Sequence, residues 1–118
     1  MDMPPIMGGG GLGPTPGFYA RAGVAGCVSI GIKQTAVMAG VDFRRVTVDV
    51  ETDFDDGAAL GIGDRSAAPL ETRLTIRIET GEAESDVRAL VTRALEMDPW
   101  FLALRDAQSV AARIEVGG

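Results

Sequence analysis

The stretch from Ala22 to Ile32 constrains the fold more than any other part of this sequence, because it is apolar and rich in glycine and alanine. Apolar residues recur at helical spacing from Phe18 to about Met38, which predicts a long helix. Thr15 can cap that helix and Pro16 suits its first position, while Ala39-Gly40 ends it. Each internal glycine costs up to about 1 kcal/mol relative to alanine, so we expect another backbone to approach this helix closely.

Three segments alternate apolar and polar residues, which is typical of strands with one dry face. They cover residues 46–51, 73–79 and 110–116. We expect the first two to pair antiparallel across an irregular connection that contains no helix. Glu84 or Ser85 caps a second helix, and Asp98-Pro99 opens a short third one that runs to about Ala107.

The predicted fold class is α+β, with a small antiparallel sheet of three strands and helices on one side of it. Residues 1–14 are rich in glycine and proline and predict an N-terminal arm without regular structure. Residues 15–118 then form one domain. Three strands cannot cover so apolar a helix, and an exposed apolar face usually marks an interface. We therefore expect a homodimer in which the two glycine-rich helices help to cover each other.

Composition excludes several kinds of chemistry. The chain has no histidine and one cysteine, so it has no Ser/His or Cys/His pair, no histidine-ligated metal and no internal disulfide. Its net charge of −6 disfavours nucleic acid and anionic membranes as partners. The N-terminus lacks the pattern of a secretory signal, so we expect a cytoplasmic protein. All basic residues but Lys33 are arginine, which suggests a GC-rich bacterial genome.

Two further motifs have more ordinary explanations. The glycines at positions 8, 10 and 13 match a dinucleotide fingerprint as a string, but no strand precedes them and position 33 is lysine where an acid is needed. The segment from Asp53 to Gly57 resembles half of a calcium loop, yet it lacks the alternate spacing and the terminal glutamate. We interpret it as an acidic turn and predict neither a cofactor nor a metal.

The run from Gly10 to Cys27, GGLGPTPGFYARAGVAGC, resembles the signature of the OsmC/Ohr family. In that family a glycine-rich loop leads to an Asn-Pro-Glu step and a helix of small residues that ends in Ala-Cys or Gly-Cys. Thr15-Pro16-Gly17 stands at the place of that step, and the spacing to Cys27 fits without a gap. The later strands and helices fit as well, so the resemblance covers about residues 8 to 116.

The resemblance implies an intertwined homodimer whose sites each hold two thiols and reduce organic hydroperoxides with dithiol reductants. Cys27 matches the family cysteine on the central helix. Asp98 stands where the other cysteine is expected, in the sequence Met97-Asp98-Pro99-Trp100. The family glutamate is replaced by Gly17, and the N-terminal β-hairpin with its arginine has no counterpart here. Either the chain is shortened or its true start lies upstream.

These residues define a candidate site made of Cys27, Asp98, Pro16, Gly17 and Trp100. If the family geometry holds, Asp98 lies near Cys27, and a nearby carboxylate together with apolar burial raises the pKa of a thiol. Cys27 is then mostly protonated at neutral pH and a slow nucleophile. The spacing of Arg21 places it on the opposite side of the helix within one protomer.

Two hypotheses follow from the sequence. In the first, Cys27 is the sole redox residue of a one-cysteine peroxidase that acts on organic hydroperoxides and is regenerated by an external thiol. In the second, the protein is catalytically inactive and binds an apolar small molecule in the dimer pocket. A lone cysteine on an apolar helix is also typical of an inert core residue, and Trp100 with Phe101 is typical of core packing.

Overall fold

The computed structural model describes all 118 residues. Its elements in chain order are a 3-10 turn at Pro5–Met7, α1 (Pro16–Met38), β1 (Arg45–Asp53), α2 (Asp56–Ala59), β2 (Glu71–Glu79), α3 (Glu84–Leu95) and α4 (Pro99–Arg105). The fold class is α+β, as the sequence predicts. No helix is both long enough and apolar enough to cross a membrane.

The two strands form an antiparallel sheet in the predicted pairing. Arg45 lies opposite Glu79 at one end and Asp53 lies opposite Glu71 at the other. The apolar side chains of both strands point to the same face and pack on the helical core: Val46, Val48, Val50, Leu74, Ile76 and Ile78. The polar face carries cross-strand ion pairs, among them Arg73 with Asp53 at 2.7 Å.

Helix α1 is the central element, because the sheet, α3 and α4 all contact it. Its buried residues recur every fourth position and form one row: Val24, Val28, Ile32 and Ala36. Phe43, Leu90 and Ala94 complete the buried core. The spacing of this row fits a helix that presents one face to its own protomer.

Both ends of α1 form as the sequence predicts. The Thr15 hydroxyl accepts a hydrogen bond from the backbone N–H of Phe18 at 3.3 Å, and Pro16 occupies the first helical position. At the other end Gly40 has φ of 72°, a left-handed conformation that favours glycine.

Three local predictions are wrong. The connection between the strands contains the short helix α2, because the Asp55 carboxylate accepts a hydrogen bond from the N–H of Ala58 and caps it. The N-terminal arm contains the turn Pro5–Met7, which Gly8 ends with φ of 86°. The residue at the N-cap of α3 is Ala83, whose methyl group cannot accept a hydrogen bond. Glu84 and Ser85 lie inside the helix, so neither is the cap.

The third strand that the sequence predicts at residues 110–116 is absent, and the sheet has two strands. Residues 107–118 make no backbone hydrogen bond. Alternation creates a strand only where a second strand supplies hydrogen-bond partners, and this segment has no neighbour in its own chain. Its apolar side chains are exposed by 79% at Val110, 87% at Ile114 and 91% at Val116.

The close backbone approach expected at the glycines of α1 is also absent within the chain. A Cβ atom added at Gly23 or Gly26 would meet no heavy atom within 4 Å. At Gly31, by contrast, an added Cβ would lie 3.4 Å from the Asp98 carboxylate. Within the chain, only Gly31 of these three glycines lies close to another element, where α1 meets the start of α4.

Candidate functional site

Cys27 lies in the middle of α1, beside the buried row of that helix rather than within it. Its side chain is half-buried, so the thiol is neither fully enclosed nor free on the surface. It is the only cysteine of the chain and carries no disulfide. A position between the core and the surface leaves room for a small molecule to reach the sulfur atom.

Asp98 is the buried charged residue of the fold, with 4% of its surface exposed. One oxygen, Oδ1, accepts hydrogen bonds from the backbone N–H groups of Trp100 at 3.1 Å and Phe101 at 2.9 Å. Asp98 thereby caps α4, while Pro99 fills the first helical position. The other oxygen, Oδ2, points toward Gly31 of α1.

The structure brings Cys27 and Asp98 together. Burial raises the pKa of the Cys27 thiol above its usual value, and the hydrogen-bonding reach and negative charge of Asp98 raise it further. The backbone N–H of Trp100 acts in the opposite direction and lowers the pKa of Cys27, but it is the smallest of the four causes. The thiol is therefore held mainly in its protonated form at neutral pH.

A cavity of about 350 Å³ opens beside this pair. Its walls come from α1 and from the junction of α3 with α4: Cys27, Ile30, Gly31, Gln34, Thr35, Met38, Ala94, Met97, Asp98 and Pro99. Asp98 is the only charged residue among them. The size is at the lower end of the range for sites that bind small organic molecules.

Most of the α1 residues that line this cavity are absent from the candidate site predicted from sequence. Ile30, Gly31, Gln34 and Met38 follow Cys27 at offsets of three, four, seven and eleven residues, which all lie on one side of a helix. The helical spacing of these residues from Cys27 can be read from the sequence and indicates that they share its side of α1.

The remaining candidate residues lie elsewhere. Pro16 and Gly17 begin α1 and precede Cys27 by about three helical turns, or roughly 15 Å along the axis. Neither lines the cavity. Trp100 contributes its backbone N–H, whereas its side chain is 60% exposed.

Arg21 lies on another side of α1. Its guanidinium Nη1 comes within 3.0 Å of the position that a Cβ atom at Gly17 would occupy. Together with Val48, Glu51 and Arg77 it lines a second cavity, between α1 and the sheet. Arg21 therefore supplies no positive charge to Cys27 within the protomer.

The glycine-rich loop at positions 8–13 and the acidic turn from Asp53 to Gly57 have structural roles. The Asp2 carboxylate accepts hydrogen bonds from the N–H groups of Met3, Gly10 and Leu12, so a protein carboxylate already occupies the glycine-rich loop. These bonds also lower the pKa of Asp2. In the acidic turn, Asp53 pairs with Arg73 and Asp55 caps α2. No cluster of three potential metal ligands exists in the structure.

Comparison with known proteins assigns the class. The sequence model of the family described as OsmC-like protein matches residues 8–112. The chain therefore belongs to the OsmC-like protein family. Comparison with curated protein sequences gives no match.

Solved structures show the same fold. An organic hydroperoxide resistance protein OsmC from Legionella pneumophila is 25% identical, with a TM-score of 0.66 over 89% of this chain and 72% of that one. An OsmC-like protein from Mycoplasma pneumoniae is 14% identical, with a TM-score of 0.73 over 87% of this chain and 68% of the other.

A third relative carries a ligand. It is described as a putative organic hydroperoxide resistance protein from Vibrio cholerae O1 with captopril bound in one of its active sites. It is 24% identical to this chain, with a TM-score of 0.57 over 89% of this chain and 67% of that one.

Proposed function

We propose that this protein reduces organic hydroperoxides through Cys27 as its sole redox residue, with an external thiol as reductant. The observation that supports this function is the position of the thiol, which faces a cavity large enough for a small organic molecule, beside Asp98. Membership of the OsmC-like family and the hydroperoxide resistance proteins among its structural relatives support the same chemistry.

The proposed reaction has two stages. The Cys27 sulfur attacks the terminal oxygen of the hydroperoxide, the O–O bond breaks, and the products are a sulfenic acid on Cys27 and an alcohol. One external thiol then displaces water from the sulfenic acid and forms a mixed disulfide. A second thiol attacks that disulfide, which returns Cys27 to the thiol and releases the oxidised reductant.

Asp98 has a defined part in the first stage. The attacking sulfur must lose its proton, and the Asp98 carboxylate lines the same cavity as that thiol. It can accept the proton as the S–O bond forms and pass it to the departing alkoxide. The Asp98 charge also disfavours the thiolate before attack, so the expected turnover is slow.

A second candidate function is binding without catalysis. The raised pKa of Cys27 and the presence of Asp98 at the place expected for a second thiol both favour it. In that case the cavity holds an apolar small molecule and Cys27 contributes only to the wall.

We further propose that the protein acts as a homodimer. Only 8 of its 118 residues are buried, and its accessible surface is 8623 Å². A compact monomer of this mass exposes about 6,100 Å². Large apolar side chains are exposed on α1 and on the C-terminal segment, including Ile30, Val37 and Ile114. A second copy of the chain would cover both.

The two candidate functions are separated by one experiment. Purified protein is treated with cumene hydroperoxide in the presence of a sulfenic acid trap, and intact mass is measured for the wild type and for Cys27→Ser. We expect an adduct on the wild type alone, and recovery of the free thiol with dithiol when the trap is omitted. If no adduct forms over hours, peroxidase chemistry is excluded and binding becomes the leading function.

A further inference from the structure

The cavity beside Cys27 has an unusual charge distribution. Among its ten lining residues Asp98 alone is charged, and five are hydrophobic. Asp98 is 4% exposed, so water screens its charge poorly. Its Oδ1 atom accepts both available N–H groups at the start of α4, from Trp100 and Phe101. The backbone donors of this helix end are therefore already engaged by the protein's own carboxylate.

No basic side chain lines this cavity. The Arg105 guanidinium, on α4, pairs with Glu96 at 2.6 Å and Asp106 at 2.9 Å. On α1, Lys33 donates a hydrogen bond to the carbonyl oxygen of Phe43, and Arg21 lines a different cavity. A ligand that enters beside Cys27 consequently meets one poorly screened negative charge and no positive one.

From this arrangement we propose that Asp98 is a specificity-determining residue, which makes the Cys27 cavity accept neutral organic hydroperoxides and reject those that carry a carboxylate. This inference rests on the proposed function for its substrate, but the charge selectivity itself requires only that small molecules reach Cys27. Like charges at close range repel more strongly beside a buried carboxylate than in bulk water, and Asp98 is buried, so one carboxylate suffices for discrimination.

The direct test uses two substrates with the same carbon skeleton, cumene hydroperoxide and its para-carboxylate derivative, in which the added charge lies on the ring next to the peroxide-bearing carbon. Their rates of Cys27 oxidation are compared in the wild type, in Asp98→Asn and in Asp98→Ser. Asparagine and serine both cap helices, so each variant retains the start of α4 while it removes the charge. We expect the preference for the neutral over the anionic hydroperoxide to fall roughly tenfold in both variants.

Glu96→Gln provides the matched control. It removes one negative charge two residues before Asp98, from a side chain that is exposed, paired with Arg105 and outside the cavity. This variant should keep the wild-type preference. An equal change in Glu96→Gln and Asp98→Asn would overturn the proposal, since the selectivity would then reflect net charge.

A second measurement separates this proposal from the peroxidase function. Cys27 is alkylated with neutral iodoacetamide and with anionic iodoacetate, neither of which requires redox chemistry, and the ratio of the two rates is compared with that of a free thiol. We expect iodoacetate to be disfavoured in the wild type and the ratio to approach the free-thiol value in Asp98→Asn. If hydroperoxides fail to react but this shift appears, the selectivity stands and the proposed function falls. A ratio that is the same in both proteins overturns the selectivity.

Discussion

At the scale of single residues, the main feature of the cavity is that Cys27 and Asp98 both line it. The carboxylate serves two structures at once, because one oxygen caps α4 and the other faces α1. Asp98 is fully explained as a helix cap, yet its charge also raises the pKa of the Cys27 thiol on another helix, where burial is the larger cause. The capping role is fulfilled by several residue types, whereas the electrostatic role depends on charge.

The pH dependence of thiol alkylation tests this electrostatic role. The pKa of Cys27 lies above its usual value, so the rate of reaction with iodoacetamide should reach half of its maximum above about pH 8.5, the midpoint of an ordinary thiol. In Asp98→Asn the carboxylate is gone, the thiolate is less disfavoured and the midpoint should move to lower pH. Glu96→Gln should leave the midpoint in place.

How much of the site can be predicted from sequence differs between residues. The proximity of Cys27 and Asp98 was expected from family resemblance, and the raised pKa of the thiol then follows from charge and burial. Pro16 and Gly17 lie within the same family signature but not at the cavity, because α1 carries them about three turns away. Residues of one sequence motif can lie far apart along a helix. Asp98 belongs to a different element, and the fold places it beside Cys27.

At the scale of elements, capping residues and hydrophobic periodicity predict the helices and strands that depend on local interactions. The ends of α1, the two strands and the start of α4 follow from caps and periodicity, and the structure shows them all. Helix α2 was missed because it is a single turn with an aspartate cap in a segment otherwise typical of a loop. The prediction of a strand at residues 110–116 is wrong. An alternating pattern of apolar and polar side chains does not by itself provide a neighbouring strand for backbone hydrogen bonds.

The buried row of α1 should carry much of the stability of the fold. Ile32 is fully buried at the centre of that row, so Ile32→Ala leaves a cavity and should lower the free energy of unfolding by about 2–5 kcal/mol. Urea denaturation followed by circular dichroism measures the change. Leu12→Ala, at a side chain that is 91% exposed, should alter stability by less than about 0.5 kcal/mol.

The start of α1 offers a smaller, independent test. Thr15→Ala removes the hydroxyl that accepts the Phe18 N–H and should cost about 1 kcal/mol in the same denaturation assay. Thr15→Ser retains that acceptor and should remain close to the wild type. Equal losses in the two variants would show that the methyl group, not the hydrogen bond, stabilises this end.

At the scale of the whole molecule, the chain is less compact than a typical globular domain of its length. Its radius of gyration is 18.2 Å, whereas a compact domain of this length has about 13.5 Å. Its long dimension is 57 Å against 31 Å in the other two directions. The proposed homodimer would account for these dimensions, because a second copy would complete the core of each subunit.

Light scattering coupled to gel filtration tests the assembly. We expect a mass of about twice the 12.3 kDa of the chain. Gly26→Leu should shift the protein toward the monomer, because its Cβ meets nothing within the protomer but would clash with a second α1 packed closely against it. Gly81→Leu, at a loop position that is equally open, should remain dimeric. Retention of the dimer by both variants would place the interface away from Gly26.

The extended C-terminal segment has a consequence for the lifetime of the protein in a cell. Residues 107–118 form no backbone hydrogen bonds and expose apolar side chains, so they have the features that proteases bind as extended substrates. If a second copy covers this segment, degradation depends on concentration. Abundant protein then persists as the assembled form, while scarce or newly made chains are trimmed and removed.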